Sequence, residues 1–234
     1  VKILTADADD TNDVIITYEY DGDDNLTALI DPVGNRTEFV YDLDGRLSVR
    51  RDAAGAETMV AYDLAGNTDS IVDRIGRKRS FLYDERNLPT AERWHDPADA
   101  IIRTISTSYD DLGRRMSIAD PDSSYAYTYD ICSRVSSVSN AGTPNLPEVV
   151  LNYTYNKDGL LASVTDSDGV SVTTTYDSRN RSDSFIWQGG GIAPASVDLD
   201  RNGRGQMTAI KRHGNASLSS LVSQTTIDDI APQG

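Results

Sequence analysis

The sequence predicts an all-β protein, in which tandem antiparallel β-hairpins join into a continuous curled sheet. Three observations carry this. Val, Ile, Tyr and Thr fill the short apolar stretches, Thr, Ser, Asp and Gly are abundant, and no long stripe of helical period is present. A Tyr-Asp pair recurs at Tyr20, Tyr41, Tyr62, Tyr83, Tyr109, Tyr129 and Tyr176, with Tyr-Asn at Tyr155 and Leu199-Asp200 as a ninth copy. Its successive spacings are 21, 21, 21, 26, 20, 26, 21 and 23 residues, which marks an internal repeat.

Each unit carries two turn signals. Four residues after the aromatic stand Asp24, Gly45, Gly66, Asn87, Gly113, Ser133, Gly159, Asn180 and Gly203. Gly and Asn enter the left-handed region at least cost, so this position is expected to have positive φ in a tight turn. The second signal is Asp-x-x-Gly at Asp31–Gly34, Asp52–Gly55, Asp73–Gly76 and Asp166–Gly169, the residue choice of a type I turn. Strand-length segments such as "NRTEFVYD" and "RLSVRRD" lie between the signals. In the first, Phe39 and Tyr41 share one face while Glu38 and Val40 share the other. The unit therefore reads as a strand, a tight turn, a second strand and a wider turn.

At the N-terminus "VKILT" falls where "RLSVR" does in the next unit, so the chain reads as an excised piece that starts partway through a repeat. "HDPADA" and "NAGTPNLPE" are expected to lengthen the wide turn, where a meander accepts extra residues. The array is expected over residues 1–211 as about nine units, with residues 212–234 an irregular C-terminal tail. Since two units make a segment close to a four-stranded blade, a β-propeller-like array is the alternative.

Charge and composition narrow the function classes. Acidic residues outnumber basic ones 37 to 22, a net charge of −15, which argues against nucleic acid as a partner. No apolar run reaches the roughly 20 residues of a membrane-spanning helix, so no membrane insertion is expected. A targeting signal is not visible and is expected outside these residues. The single cysteine, Cys132, rules out an internal disulfide framework, and no His or base pattern near it would activate the thiol.

The motif Tyr-Asp-x-x-Gly-Arg-Leu followed by Asp-Pro-x-Gly, seen in "YDLDGRLSVRRDAAG", whose Asp52 turn lacks the proline, and in "IDPVGNRTEFVYD", resembles the YD repeat of the Rhs and teneurin families. The resemblance covers roughly residues 1 to 211. It implies a β-sheet that spirals into a hollow shell, enclosing a toxic C-terminal domain in bacterial relatives and forming part of an adhesion receptor in teneurins. The self-cleaving segment with paired aspartates that ends Rhs shells is not found here. On this basis the chain is expected to be a non-enzymatic wall segment of a large secreted or cell-surface protein. Its partners would be neighbouring repeats and an encapsulated domain of the same polypeptide, with edge-to-edge self-association open to exposed strands. The alternative is an adhesion module that binds carbohydrate or a surface protein through exposed tyrosine rows.

"DLDRNG" matches the opening of a calcium loop, with Asp198, Asp200 and Asn202 as ligands and Gly203 as the turn, but Ala209 stands where a bidentate Glu belongs. The same residues also fit the repeat turn. "DADADDTND", Asp7 to Asp13, is a second acidic stretch and reads as a solvated turn. His95 is expected to be exposed in an inserted loop, "QGGGIAP" to be a flexible glycine run, and no cofactor site or acid–base constellation is apparent. Arg46, Arg114, Arg134, Arg181 and Arg204 form a row expected to pair with the Asp after each tyrosine, as a cross-strand ion-pair ladder or, alternatively, for ligand recognition.

Overall fold

The computed structural model describes residues 2–4, 15–217 and 221–226. Every regular element among them is a β-strand. Residues 1–114 with 119–121 form one compact unit and residues 115–118 with 122–234 a second. In the first unit the strands are β1 (Lys2–Leu4), β2 (Ile16–Tyr20), β3 (Leu26–Ile30), β4 (Arg36–Tyr41) and β5 (Leu47–Arg51). They continue as β6 (Glu57–Tyr62), β7 (Thr68–Val72), β8 (Lys78–Tyr83), β9 (Pro89–His95) and β10 (Ile101–Tyr109). Each pairs antiparallel with the next, β1 through β10. β11 (Arg115–Ala119) is divided between the units.

The second unit holds β12 (Ser124–Tyr129), β13 (Val135–Ser139), β14 (Val150–Tyr155), β15 (Leu161–Asp166) and β16 (Ser171–Tyr176). It ends with β17 (Ser182–Gln188), β18 (Ala195–Arg201), β19 (Met207–His213) and β20 (Leu221–Thr226), again paired in chain order. Propeller blades would interrupt the pairing after every fourth strand. Neither unit does so, and the propeller alternative is set aside.

The 21-residue step has a direct structural origin. β6 has six residues, the turn 63–67 five, β7 five and the turn 73–77 five. Both turns have the same build, so the expected contrast between a tight and a wider turn does not exist. The hairpins differ in register instead. Those closed after a tyrosine carry an irregularity there, as between Val40 and Tyr41 or Ala61 and Tyr62, whereas β3–β4 and β5–β6 pair without one. A bulge re-aims the side chain beside it, and here that side chain is the tyrosine.

Of three further expectations, two change. "HDPADA" adds nothing to its turn, which runs over 96–100 like the others. The extra residues lengthen β9 to seven and β10 to nine residues, so the 26-residue step is made in the strands. At "NAGTPNLPE" the connection between β13 and β14 is lengthened, as expected. Within the stretch read as an irregular tail from residue 212, residues 221–226 form β20 on β19.

The sheets are thinly buried. Among the described residues only Ala28 and Ala209 are buried apolar side chains, and Ser184, Ser196 and His213 are the buried polar ones. Ladder hydrogen bonds and cross-strand side-chain pairs, rather than a thick core, hold these strands.

Candidate functional site

The recurring turn is the chemical unit of the array. In turn 42–46 the Asp42 N–H donates to the Arg46 carbonyl at 2.8 Å, and the Gly45 N–H to the Asp42 carbonyl at 3.0 Å. This is a three-residue hairpin loop, a type I turn followed by a left-handed residue. Gly45 has φ 75°, and Asp24, Gly66, Asn87, Gly113, Ser133, Gly159 and Asn180 are also at positive φ. The Asp side chain finishes the loop. Asp42 Oδ1 accepts the N–H groups of Asp44 and Arg46 at 3.0 and 2.9 Å, while Oδ2 accepts Arg46 Nε at 2.8 Å. These bonds, the Arg46 side chain first, hold the Asp42 carboxyl below the usual range. Both Asp signals in the sequence therefore have one cause, a carboxylate that caps its own turn.

The arginine row pairs as the sequence suggests, but within turns rather than along a ladder between them. Arg46, Arg114, Arg134 and Arg181 meet Asp42, Asp110, Asp130 and Asp177 at 2.6 to 2.7 Å. Two of these guanidinium groups also reach over the next unit. Arg46 lies 4.5 Å over the Tyr62 ring, and Arg134 4.2 Å over Tyr155.

The tyrosines of the Tyr-Asp and Tyr-Asn pairs are half-buried along the array, apart from the exposed Tyr20. Their hydroxyls point inward to backbone: Tyr41 donates to Leu26 O, Tyr62 to Leu47 O, Tyr83 to Thr68 O and Tyr176 to Leu161 O, at 2.8 to 2.9 Å. An aromatic row whose polar handles are spent on the preceding unit works as a fastener.

Arg204 departs from the row because the ninth copy is shifted by two residues. Its turn is 202–206, with Gly205 rather than Gly203 at positive φ, and Arg201 takes the tyrosine position. Arg201 Nη1 donates to Ser182 O at 2.6 Å, the same carbonyl position that the tyrosine hydroxyls use. The calcium candidates are accordingly placed on other duties. Asp198 and Asp200 lie on β18, Asp198 opposite Lys211 and Asp200 paired with the Lys211 ammonium at 2.6 Å. Asn202 Oδ1 caps its own turn through the N–H groups of Arg204 and Gln206. No group of three or more metal-binding side chains is present among the described residues, and Asp7 to Asp13 lie outside them.

Cys132 is exposed in turn 130–134, its N–H bonded to Asp130 Oδ1 at 2.9 Å. The glycine run is a close approach rather than a loose linker: a Cβ at Gly189 would strike Gly169 O, and one at Gly190 the Val170 side chain.

Two groupings escaped the sequence. Glu19, Arg36, Glu38, Arg51 and Glu57 alternate in sign across β2, β4, β5 and β6. Arg36 grips both oxygens of Glu19 at 2.8 Å, and Arg51 bridges Glu38 and Glu57 at 2.6 Å. The second grouping corrects the reading of His95, whose side chain is 9% exposed at the end of β9. Its Nε2 meets Ser80 Oγ at 2.8 Å, and its Nδ1 lies 3.1 Å from Asp99 Oδ1 and 3.2 Å from the Asp99 carbonyl. His95 also lines a cleft of about 420 Å³ with Arg77, Lys78, Trp94, Pro97 and Ile102. Ser80 and His95 lie fifteen residues apart, on strands that pair only after folding, and no sequence spacing signals them.

The RHS Repeat family model matches residues 20–57 and 155–182. No curated protein matches the chain. Among solved structures, the chain is similar to TcdB2-TccC3-Cdc42 at 17% identity and TM-score 0.60, over 86% of this chain and 12% of that one. It is likewise similar to TcdB2-TccC3-TEV at 17% identity and TM-score 0.61, over the same shares. A Photorhabdus luminescens Tc holotoxin pore matches at 14% identity and TM-score 0.56, over 87% of this chain and 13% of that one. The chain thus spans about an eighth of the length of the chains whose fold it shares.

Proposed function

We propose that this chain, which carries RHS repeats, is a length of β-shell wall in a large secreted or cell-surface protein, enclosing or displaying another domain of the same polypeptide. The observation that carries the reading is the interlock of successive units. A tyrosine hydroxyl reaches back to one unit's backbone while an arginine reaches forward over the next unit's ring. Each repeat is thereby completed by its neighbours, as expected of architectures that cannot bury an apolar face one unit at a time.

The burial pattern points the same way. A sheet with two buried apolar side chains among the described residues lacks the second layer that stabilises an ordinary domain. Length, curvature and neighbouring repeats are what such a sheet has to rely on, and a wall supplies them. The fold shared with TcdB2-TccC3 supports this reading. Holding a wall together calls on no reaction, and aspartates that open the turns, such as Asp42, Asp110, Asp130 and Asp177, cap their own turns. Partners of the array would be adjoining repeats, which continue the pairing at β20, and the enclosed domain.

Limited proteolysis of the full-length protein tests the proposal. A domain enclosed by the wall resists cleavage while the array is folded and is cut once mild denaturant opens it. Cleavage at the same rate before and after opening would contradict enclosure.

A further inference from the structure

We propose that Ser80 is the nucleophile of a serine-esterase-type site, with His95 as general base and Asp99 positioning the imidazole. The inference stands apart from the wall reading and rests on the geometry at one end of β8 and β9. His95 Nδ1 faces two acceptors, Asp99 Oδ1 at 3.1 Å and the Asp99 carbonyl at 3.2 Å. In the neutral ring, therefore, Nδ1 carries the hydrogen and Nε2 presents its lone pair. That lone pair is 2.8 Å from Ser80 Oγ, within reach for taking the hydroxyl proton. Nucleophile, base and orienting carboxylate thus stand in the order that acyl transfer requires.

The site departs from the repeat. Ser80, three residues before Tyr83, takes the position that Glu38 and Met59 occupy before Tyr41 and Tyr62. His95 and Asp99 come from the stretch where β9 is lengthened to seven residues. Asp99 sits at the left-handed turn position with φ 66°, where most other copies have Gly or Asn. The Lys78 ammonium, 2.8 Å away, holds the Asp99 carboxyl below its usual range, so it stays ionised. Trp94 pairs with Arg79 and so faces away from Ser80, whereas Lys78, two residues before Ser80 on β8, shares its face and offers a cation beside the site. A small carboxylic ester is the substrate class this chemistry takes.

The chemistry balances with water as the only co-reactant. Ser80 Oγ attacks the ester carbonyl and its proton passes to His95 Nε2. The C–O bond to the alcohol then breaks and His95 returns the proton to the leaving oxygen. Water, giving a proton to His95, attacks the acyl carbonyl; the bond to Ser80 Oγ breaks, His95 returns the proton to Oγ and the acid is released.

The test treats the whole chain with p-nitrophenyl butyrate and, separately, with a fluorophosphonate, followed by peptide mass mapping. The proposal expects an adduct on Ser80, absent in Ser80→Ala and forming about a hundredfold more slowly in His95→Gln. Asp99→Asn, which permits the wrong tautomer, slows labelling while circular dichroism keeps its β signature. Wild-type protein decides the matter without any variant: failure of Ser80 to label, or labelling as fast after unfolding in urea, overturns the proposal.

Discussion

The Arg46 guanidinium lies 4.5 Å over the Tyr62 ring while its Nε donates to Asp42 at 2.8 Å. The residue that closes one turn therefore also covers the aromatic ring of the following unit. Tyr62 in turn donates to Leu47 O, one residue past Arg46. Tyr62→Phe keeps the ring and removes only the hydroxyl, so it is expected to cost about 1 kcal/mol in urea unfolding. Arg46→Lys loses the planar fork that serves both partners and is expected to destabilise as well. Combined with Tyr62→Phe it should give a non-additive change in a double-mutant cycle.

The shifted ninth copy gives a prediction of opposite signs at neighbouring glycines. Gly205 has φ 88° and a Cβ there would run into the Arg181 guanidinium, so Gly205→Ala is expected to cost at least about 1–2 kcal/mol. At Gly203 the backbone is ordinary and a Cβ meets open space, so Gly203→Ala is expected to be neutral or stabilising by up to about 1 kcal/mol. Thermal unfolding of the two variants distinguishes this register from one with the turn at Gly203.

Acid should loosen the array through its turns. The Arg181 side chain and backbone N–H groups lower the Asp177 carboxyl to about 2, and Asp42 and Asp130 are lowered by their own arginines. A carboxyl lowered on folding stabilises the fold above the unfolded value of about 3.9. That contribution is lost as pH falls from there toward about 2. Urea midpoints should thus be flat above about pH 5 and drop below 4, with a smaller drop in Asp177→Asn.

Calcium is expected to leave the chain unchanged. The oxygens of Asp200 and Asn202 are engaged by Lys211 and by their own turn. Isothermal titration with calcium should show no saturable heat, and a saturable heat lost in Asp200→Asn would revive the loop.

The repeat was legible because its signals are local. Positive φ at Gly45 or Asn87 and an Asp cap are demands that a five-residue turn makes on its own residues. The ninth copy misled because Leu199-Asp200 imitates the Tyr-Asp pair, whereas Arg201 fills the tyrosine position by reaching a carbonyl with a guanidinium. The charge chain from Glu19 to Glu57 and the Ser80–His95 contact depend on register between strands. A one-residue slip in pairing would send either to the opposite face, so no single stretch of sequence encodes them.

If units of this array interlock into a wall around another domain, that wall and its contents are visible in the whole protein. Cryo-electron microscopy of the full-length protein tests this most directly. The expected result is β1–β10 and β12–β20 as consecutive strands of a wall, with further repeats paired to β20 and density for a domain inside. An open sheet with an empty interior, or strands grouped into separate four-stranded blades, would contradict it.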